Sequence, residues 1–138
     1  MLMLAENVYL EMVAHCLDGL PEEACGLLGG TDGEADGARA SVCYPARNEA
    51  ASAKLYRLAP LDHLRSDRDA EQRGLALIGV FHSHTHTDAY PSPTDVAQAP
   101  DPGWHYVIVS LRHAEPVVRS YRIVGGQVEE EPVAVDEN

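Results

Sequence analysis

Basic residues are scarce in this chain. Ten Lys and Arg stand against 22 Asp and Glu, for a net charge of −12. Binding to phosphate backbones needs clustered cations, and these ten are scattered, so no nucleic-acid partner is expected. The acids are thickest at the tail, Glu129-Glu130-Glu131 to Asp136-Glu137, and read as a solvated surface. Long apolar runs are missing too. None approaches the ~18 residues of a membrane span, and Met1-Leu2-Met3-Leu4-Ala5-Glu6 lacks the basic stretch that opens a signal peptide. No membrane role is expected. Cysteines are few and odd in number: Cys16, Cys25 and Cys43, without metal-like spacing. That fits a reducing, cytoplasmic setting better than a disulfide framework; a catalytic Cys25, next to Gly26, is the alternative to the preferred reading of a thiol packed in the interior. No internal repeat or low-complexity linker appears, and 138 residues suit a single domain over 1–138.

The 45% apolar fraction is that of an ordinary globular protein, and its periodicity alternates between helix and strand. Val8, Met12, Val13, Cys16 and Leu17 share a helical face, which predicts a first helix from Ala5 to Asp18, ended by Gly19 and Pro21. Glu22 to Gly30 reads as an acidic entry into a short buried strand, and the Gly- and Asp-rich stretch 31–37 as a turn. Ala40–Ala46 and Lys54–Leu58 read as strands. Pro60 to Arg73 is expected as a second helix, with Pro60 in its first turn and Gly74 as its stop. Its stripe is thin (Leu61 and Leu64), so it should lie on the surface. The apolar run Leu75 to Phe81 is a strand, and Ser92-Pro93-Thr94-Asp95 opens a short helix with its cap signals in place. Strands over Trp104–Ser110, Val117–Val124 and Gln127–Val135 follow. The order is mixed α/β, one sheet with helices on it.

The chemistry concentrates where the apolar strand ends. His82 and His84 lie two apart and so project from the same face of a strand. Two convergent imidazoles, one carboxylate and an open fourth position hold a catalytic zinc. Asp95 is the obvious third ligand, because the helix announced by Ser92 fixes where its carboxylate sits. The same two residues also make a capping box, with Asp95 bonded back to the Ser92 amide, and that alone would explain them. His86 is an alternative third ligand, but three ligands on one strand would demand sharp bending. It is expected outside the metal, as an exposed loop residue or a substrate contact. His15, His63, His105 and His113 read as ordinary surface or half-buried histidines. Ala89 stands where a metallo-β-lactamase-like H-x-H-x-D-H needs its last histidine. An amidohydrolase barrel needs about 200 residues or more, and the H-x-E…P-C-x-x-C pattern of zinc deaminases is absent.

His82-Ser83-His84, seven residues, Ser92, two residues and Asp95 reproduce H-S-H-x7-S-x-x-D. In this the chain resembles the JAMM (MPN-domain) metalloproteases. Pro21 to Gly30 is similar to that family's E-x-x-G-L-L-x-G segment, and the spacing to Gly26 selects Glu23 over Glu22 as its glutamate. The resemblance implies an MPN domain with a cytidine deaminase-like fold: a curved mixed β-sheet wrapped around the N-terminal helix, with further helices packed outside. It implies one zinc ion per chain on His82, His84 and Asp95, with water in the fourth position. It makes Glu23 the general base and Ser92 the donor that stabilises the tetrahedral oxyanion. It also implies hydrolysis of an amide or isopeptide bond at the C-terminal tail of a ubiquitin-like or sulphur-carrier protein. The loop Thr85 to Pro91 is short and no long insertion follows the zinc-binding helix, which argues against linkage-selective cleavage of ubiquitin chains. A non-catalytic MPN scaffold that binds protein partners and a small-molecule zinc amidase are the competing readings.

Overall fold

The computed structural model describes residues 1–33 and 37–136. In chain order these form β1 (Leu2–Ala5), α1 (Glu6–Gly19), β2 (Cys25–Gly33), β3 (Gly37–Ala46), α2 (Pro60–Gln72) and β4 (Ala76–His84). They continue with α3 (Pro93–Ala97), β5 (His105–Ser110), β6 (Val117–Val124), β7 (Gln127–Glu131) and β8 (Val133–Asp136). The eight strands make one mixed sheet in the order β7-β6-β5-β4-β2-β3-β1-β8. The β1–β3, β1–β8 and β4–β5 pairs are parallel and the others antiparallel.

β7 and β8 occupy opposite edges of this sheet, yet only Pro132 separates them in the chain. Proline has no amide hydrogen to continue a ladder, so the β-structure breaks there and the two edges must meet. The sheet therefore curls until it is nearly closed. The Leu2 amide donates to the Pro132 carbonyl at 2.9 Å, and β6 comes into contact with β8. Buried His105 ties the same seam, with Nδ1 2.6 Å from Glu131 Oε2 and Nε2 2.9 Å from Asp32 Oδ2. This histidine is 2% exposed, not the ordinary surface or half-buried residue its sequence neighbourhood suggests. Its two carboxylate partners come from strands remote in the chain.

The alternation of side chains along each strand gives the sheet two apolar faces. Val8, Met12 and Cys16 of α1 pack against Leu4, Leu28, Ala40, Phe81, Val107 and Val109 on the first. Leu27, Val80, Tyr106, Ile108, Tyr121 and Ile123 fill the second. The expected curved mixed sheet around the N-terminal helix is the observed one. α2 is external, as expected, but it meets the sheet through Ser66 and Ala70, while Leu61 and Leu64 face solvent. Small residues one turn apart let the helix approach the strands more closely than a leucine stripe would. Cys16, Cys25 and Cys43 are all free and buried, and burial pushes each thiol up to about 12. Among the described residues no helix is long and apolar enough to cross a membrane.

Four boundaries differ from expectation. Leu2–Ala5 is a strand that four apolar residues, too few to show a period, did not announce. Lys54–Leu58 is no strand; its one ladder contact is the isolated bridge Asn48↔Leu58. The single strand expected over Gln127–Val135 is two, divided at Pro132. β2 and β3 extend into the expected 31–37 turn as far as Gly33 and Gly37, and residues 34–36 lie outside the described residues.

Phe81, the only phenylalanine, is fully buried beside β2 and leads directly into His82. Gly26 makes room for it: a Cβ there would stand 2.4 Å from the Phe81 ring and 2.6 Å from the Tyr44 carbonyl oxygen. Gly26→Ala should therefore cost about 3 kcal/mol through overpacking. Gly33→Ala, where an added Cβ meets nothing within 4 Å, should be close to neutral. Urea unfolding of the two variants checks the contrast.

Candidate metal centre

The carboxyl end of β4 carries His82, Ser83 and His84 in alternating orientation. Ser83 points toward α1, where its Oγ accepts from the Ala24 amide at 2.9 Å. His82 and His84 point to the opposite face, both buried, with their Nε2 atoms 3.1 Å apart. Asp95 Oδ2 lies 3.2 Å from His82 Nε2 and 3.0 Å from His84 Nε2. These three atoms form a nearly equilateral triangle. A tetrahedral zinc with ligand bonds of 2.0–2.1 Å has ligand–ligand edges of about 3.3 Å, so the triangle matches one face of such a site. Among the described residues this is the one group of three or more His, Cys, Asp or Glu able to hold a metal ion. His86 is exposed and outside it.

Each member is oriented by a second contact. His84 Nδ1 is 2.8 Å from the Asp88 carbonyl oxygen. A carbonyl only accepts, so Nδ1 carries the hydrogen and, in the neutral ring, the Nε2 lone pair is left facing the cluster. His82 is stacked on Tyr56, ring centroids 4.3 Å apart and planes 22° apart. Asp95 is placed by the capping box of α3: Ser92 Oγ accepts from the Asp95 amide at 3.0 Å, and Asp95 Oδ2 accepts from the Ser92 amide at 2.9 Å. Cap and cluster use the same carboxylate oxygen, so they are not competing explanations of Asp95. Burial opposes its charge, but His82 and His84, which donate to it when their rings are protonated, outweigh that and hold the carboxyl well below the usual range.

Glu23 arrives from the neighbouring strand. β2 and β4 are antiparallel with Cys25 opposite His82, and Ser83 donates its amide to the Ala24 carbonyl at 3.0 Å. Two residues before Cys25, where β2 begins, Glu23 therefore comes level with His84. Glu22 is exposed, whereas Glu23 is buried, and its Oε1 has no hydrogen-bond partner. A buried carboxylate oxygen left without a partner costs free energy. Burial pushes the carboxyl up to about 7, with His84 opposing and Asp95 reinforcing the shift.

The structure brings together all five residues singled out from the sequence: Glu23, His82, His84, Ser92 and Asp95. It adds Tyr56 and Asn48, which gave no motif signal because they belong to a segment read partly as a strand. Residues 5–124 match the family of prokaryotic homologues of the JAB domain. The chain belongs to this family. It is 44% identical over 127 residues to a CysO-cysteine peptidase of Mycobacterium tuberculosis, covering 91% of this chain and 85% of the relative. It is 32% identical over 114 residues to a desampylase of Haloferax volcanii, covering 79% and 80%. A protein of Desulfitobacterium hafniense solved in solution superposes with a TM-score of 0.92 at 36% identity, over 100% of this chain and 94% of that one. The JAB-family membership bears out the JAMM/MPN resemblance of the two motifs.

The raised Glu23 has a consequence for the metal-free protein. A carboxyl whose folded pKa exceeds its unfolded value costs nothing at low pH, where both states are protonated. It lowers stability as pH rises from about 4.5 to about 7, because the unfolded chain releases the proton first. Glu23→Gln removes that loss. In chelator, the variant should match wild type at pH 4 and exceed it by about 3 kcal/mol above pH 7, measured by denaturant unfolding at each pH.

Proposed function

We propose that this chain is a zinc-dependent peptidase of a single MPN domain. It hydrolyses the amide or isopeptide bond that joins the C-terminal tail of a ubiquitin-like or sulphur-carrier protein to its conjugate, in the cytoplasm. The observation that carries this reading is the His82–His84–Asp95 triangle with an unpartnered, buried Glu23 carboxylate beside it. His82, His84 and Asp95 hold one zinc ion. Bound there, zinc supplies Lewis-acid activation, bringing the pKa of a water from 15.7 toward ~7. Glu23 Oε1 takes a proton from the attacking water and returns it to the leaving amine. Ser92 Oγ is an acceptor toward the Asp95 amide, which leaves its own O–H to donate to the developing oxyanion. Such a donor contributes roughly 2.7–4 kcal/mol.

The substrate class is supported by the relatives. One is named for a conjugate of CysO with cysteine, the other for removing a modifier, and this chain spans most of both. An extended tail would bring its last carbonyl to the triangle. The described residues carry no long insertion around the site, which suits a small conjugate better than a chosen linkage between two folded modifiers.

Two measurements test the reading. A carrier protein ending in an amide-linked cysteine should lose that residue by intact mass. Glu23→Gln should keep its zinc yet slow the cleavage by about 10²–10⁴-fold. Zinc per chain by elemental analysis should be about one in wild type and sharply reduced in Asp95→Asn, which still accepts the Ser92 amide and so preserves the cap. Equal zinc in both proteins would reject Asp95 as a ligand. No zinc and no cleavage in wild type would leave the scaffold reading.

A further inference from the structure

The loop between β3 and α2 holds the metal centre from two sides, and one side chain organises it. Asn48 Nδ2 donates to the Glu23 carbonyl at 2.9 Å and to the Leu55 carbonyl at 3.1 Å. Asn48 Oδ1 accepts from the Ala50 amide at 3.0 Å and from the Arg57 amide at 2.9 Å. Both ends of the carboxamide are therefore used, and its orientation is fixed, because the reverse would set an oxygen against two carbonyls. Leu55 and Arg57 are the two chain neighbours of Tyr56, whose ring stacks on His82. The same loop closes on Glu23 from its other side: the Glu23 amide donates to the Ser52 carbonyl at 2.7 Å. Just past the end of β4, Thr85 Oγ1 donates to the Ala53 carbonyl at 3.2 Å.

We infer that Asn48 is a positioning residue that sets Glu23 and, through Tyr56, His82 in mutual register. The inference rests on the reading of Glu23 and His82 given above. His84 has a carbonyl to orient its ring, whereas His82 is held outside the triangle by its ring contact with Tyr56. The Tyr56 stack is what orients that ring, and it is only as firm as the loop that carries it. The loop has no ladder of its own beyond the Asn48↔Leu58 bridge, made by the Glu49 amide to the Arg57 carbonyl at 2.8 Å and the Ala59 amide to the Arg47 carbonyl at 3.1 Å. Asn48 replaces the missing ladder with four bonds from one side chain. Neither a helix cap nor a surface turn requires the contact to Glu23, 25 residues away in the chain.

Asn48→Asp separates this role from simple bracing. It keeps the acceptor toward Ala50 and Arg57 but sets a carboxylate oxygen against the carbonyls of Glu23 and Leu55. The expected result is a folded protein by circular dichroism whose zinc dissociation constant, by competition with a chromophoric chelator, rises about tenfold. Its kcat on the carrier conjugate should fall by about 10–100-fold, the range for partners that orient metal ligands, with KM nearly unchanged. Tyr56→Leu should reproduce the loss of zinc affinity, and Tyr56→Phe, which retains the stack, should not. A folded Asn48→Asp with wild-type zinc affinity and kcat, and only a lower Tm, overturns the inference. So does wild-type zinc affinity in Tyr56→Leu, whether or not Asn48→Asp folds. A zinc-loaded wild type that cleaves no conjugate would instead fail the functional reading, while the affinity comparison among variants still decides the role of Asn48.

Discussion

The centre depends on the register between β2 and β4. Pairing Cys25 with His82 brings Glu23 level with His84 and sends Ser83 to the opposite face. Side chains alternate with a period of two, so a slip of one residue would turn the glutamate or the histidines to the wrong side of the sheet. Several packing features enforce the pairing. Phe81 has one buried slot, Gly26 leaves the space for its ring, and Ser83 Oγ engages the Ala24 amide just beyond the ladder. The scaffold specifies the register for reasons of packing, and the site inherits it.

Electrostatic cost is concentrated at the same place. Three potential ligand atoms stand 3.0–3.2 Å apart in buried surroundings, next to a carboxylate whose Oε1 has no partner. A core optimised only for stability would hold apolar residues there. Most other buried polar side chains are satisfied locally: His105 by Glu131 and Asp32, Ser120 by Glu131, Ser66 by the Asp62 carbonyl. Glu23 Oε1, beside the triangle, has no such partner.

α3 shows how economically the position of Asp95 is set. Five residues are too few for a helix to be stable by itself, and none of them is buried. The capping box and the two histidines share Asp95, so the helix start and the metal centre stabilise each other. The β3–α2 loop works similarly, using one asparagine side chain where a ladder would otherwise be needed. In both segments a polar side chain fixes the geometry, while Tyr56, Leu58 and Val96 pack partly buried against the second apolar face.

The local signals were legible in the sequence. The apolar stripe of α1, the buried run into His82, the H-x-H spacing, the Ser92–Asp95 cap and the E-x-x-G spacing each depend on residues close together in the chain, where periodicity and capping chemistry act. Together with the family resemblance they sufficed to name Glu23, His82, His84, Ser92 and Asp95, and that resemblance implied the curved mixed sheet. What the chain could not announce depends on partners far apart along it. β1 is recognisable as a strand only because β3 and β8 flank it. Leu61 and Leu64 face water because Ser66 and Ala70 allow closer packing. His105 is buried because Asp32 and Glu131 meet it at a closing seam. Asn48 and Tyr56 join the centre because a loop without strand character folds back on Glu23 and His82. Sequence alone determined which groups could do the chemistry. Only the tertiary structure decided which groups hold them in place, since hydrogen bonds and ring contacts between distant segments leave no period to read.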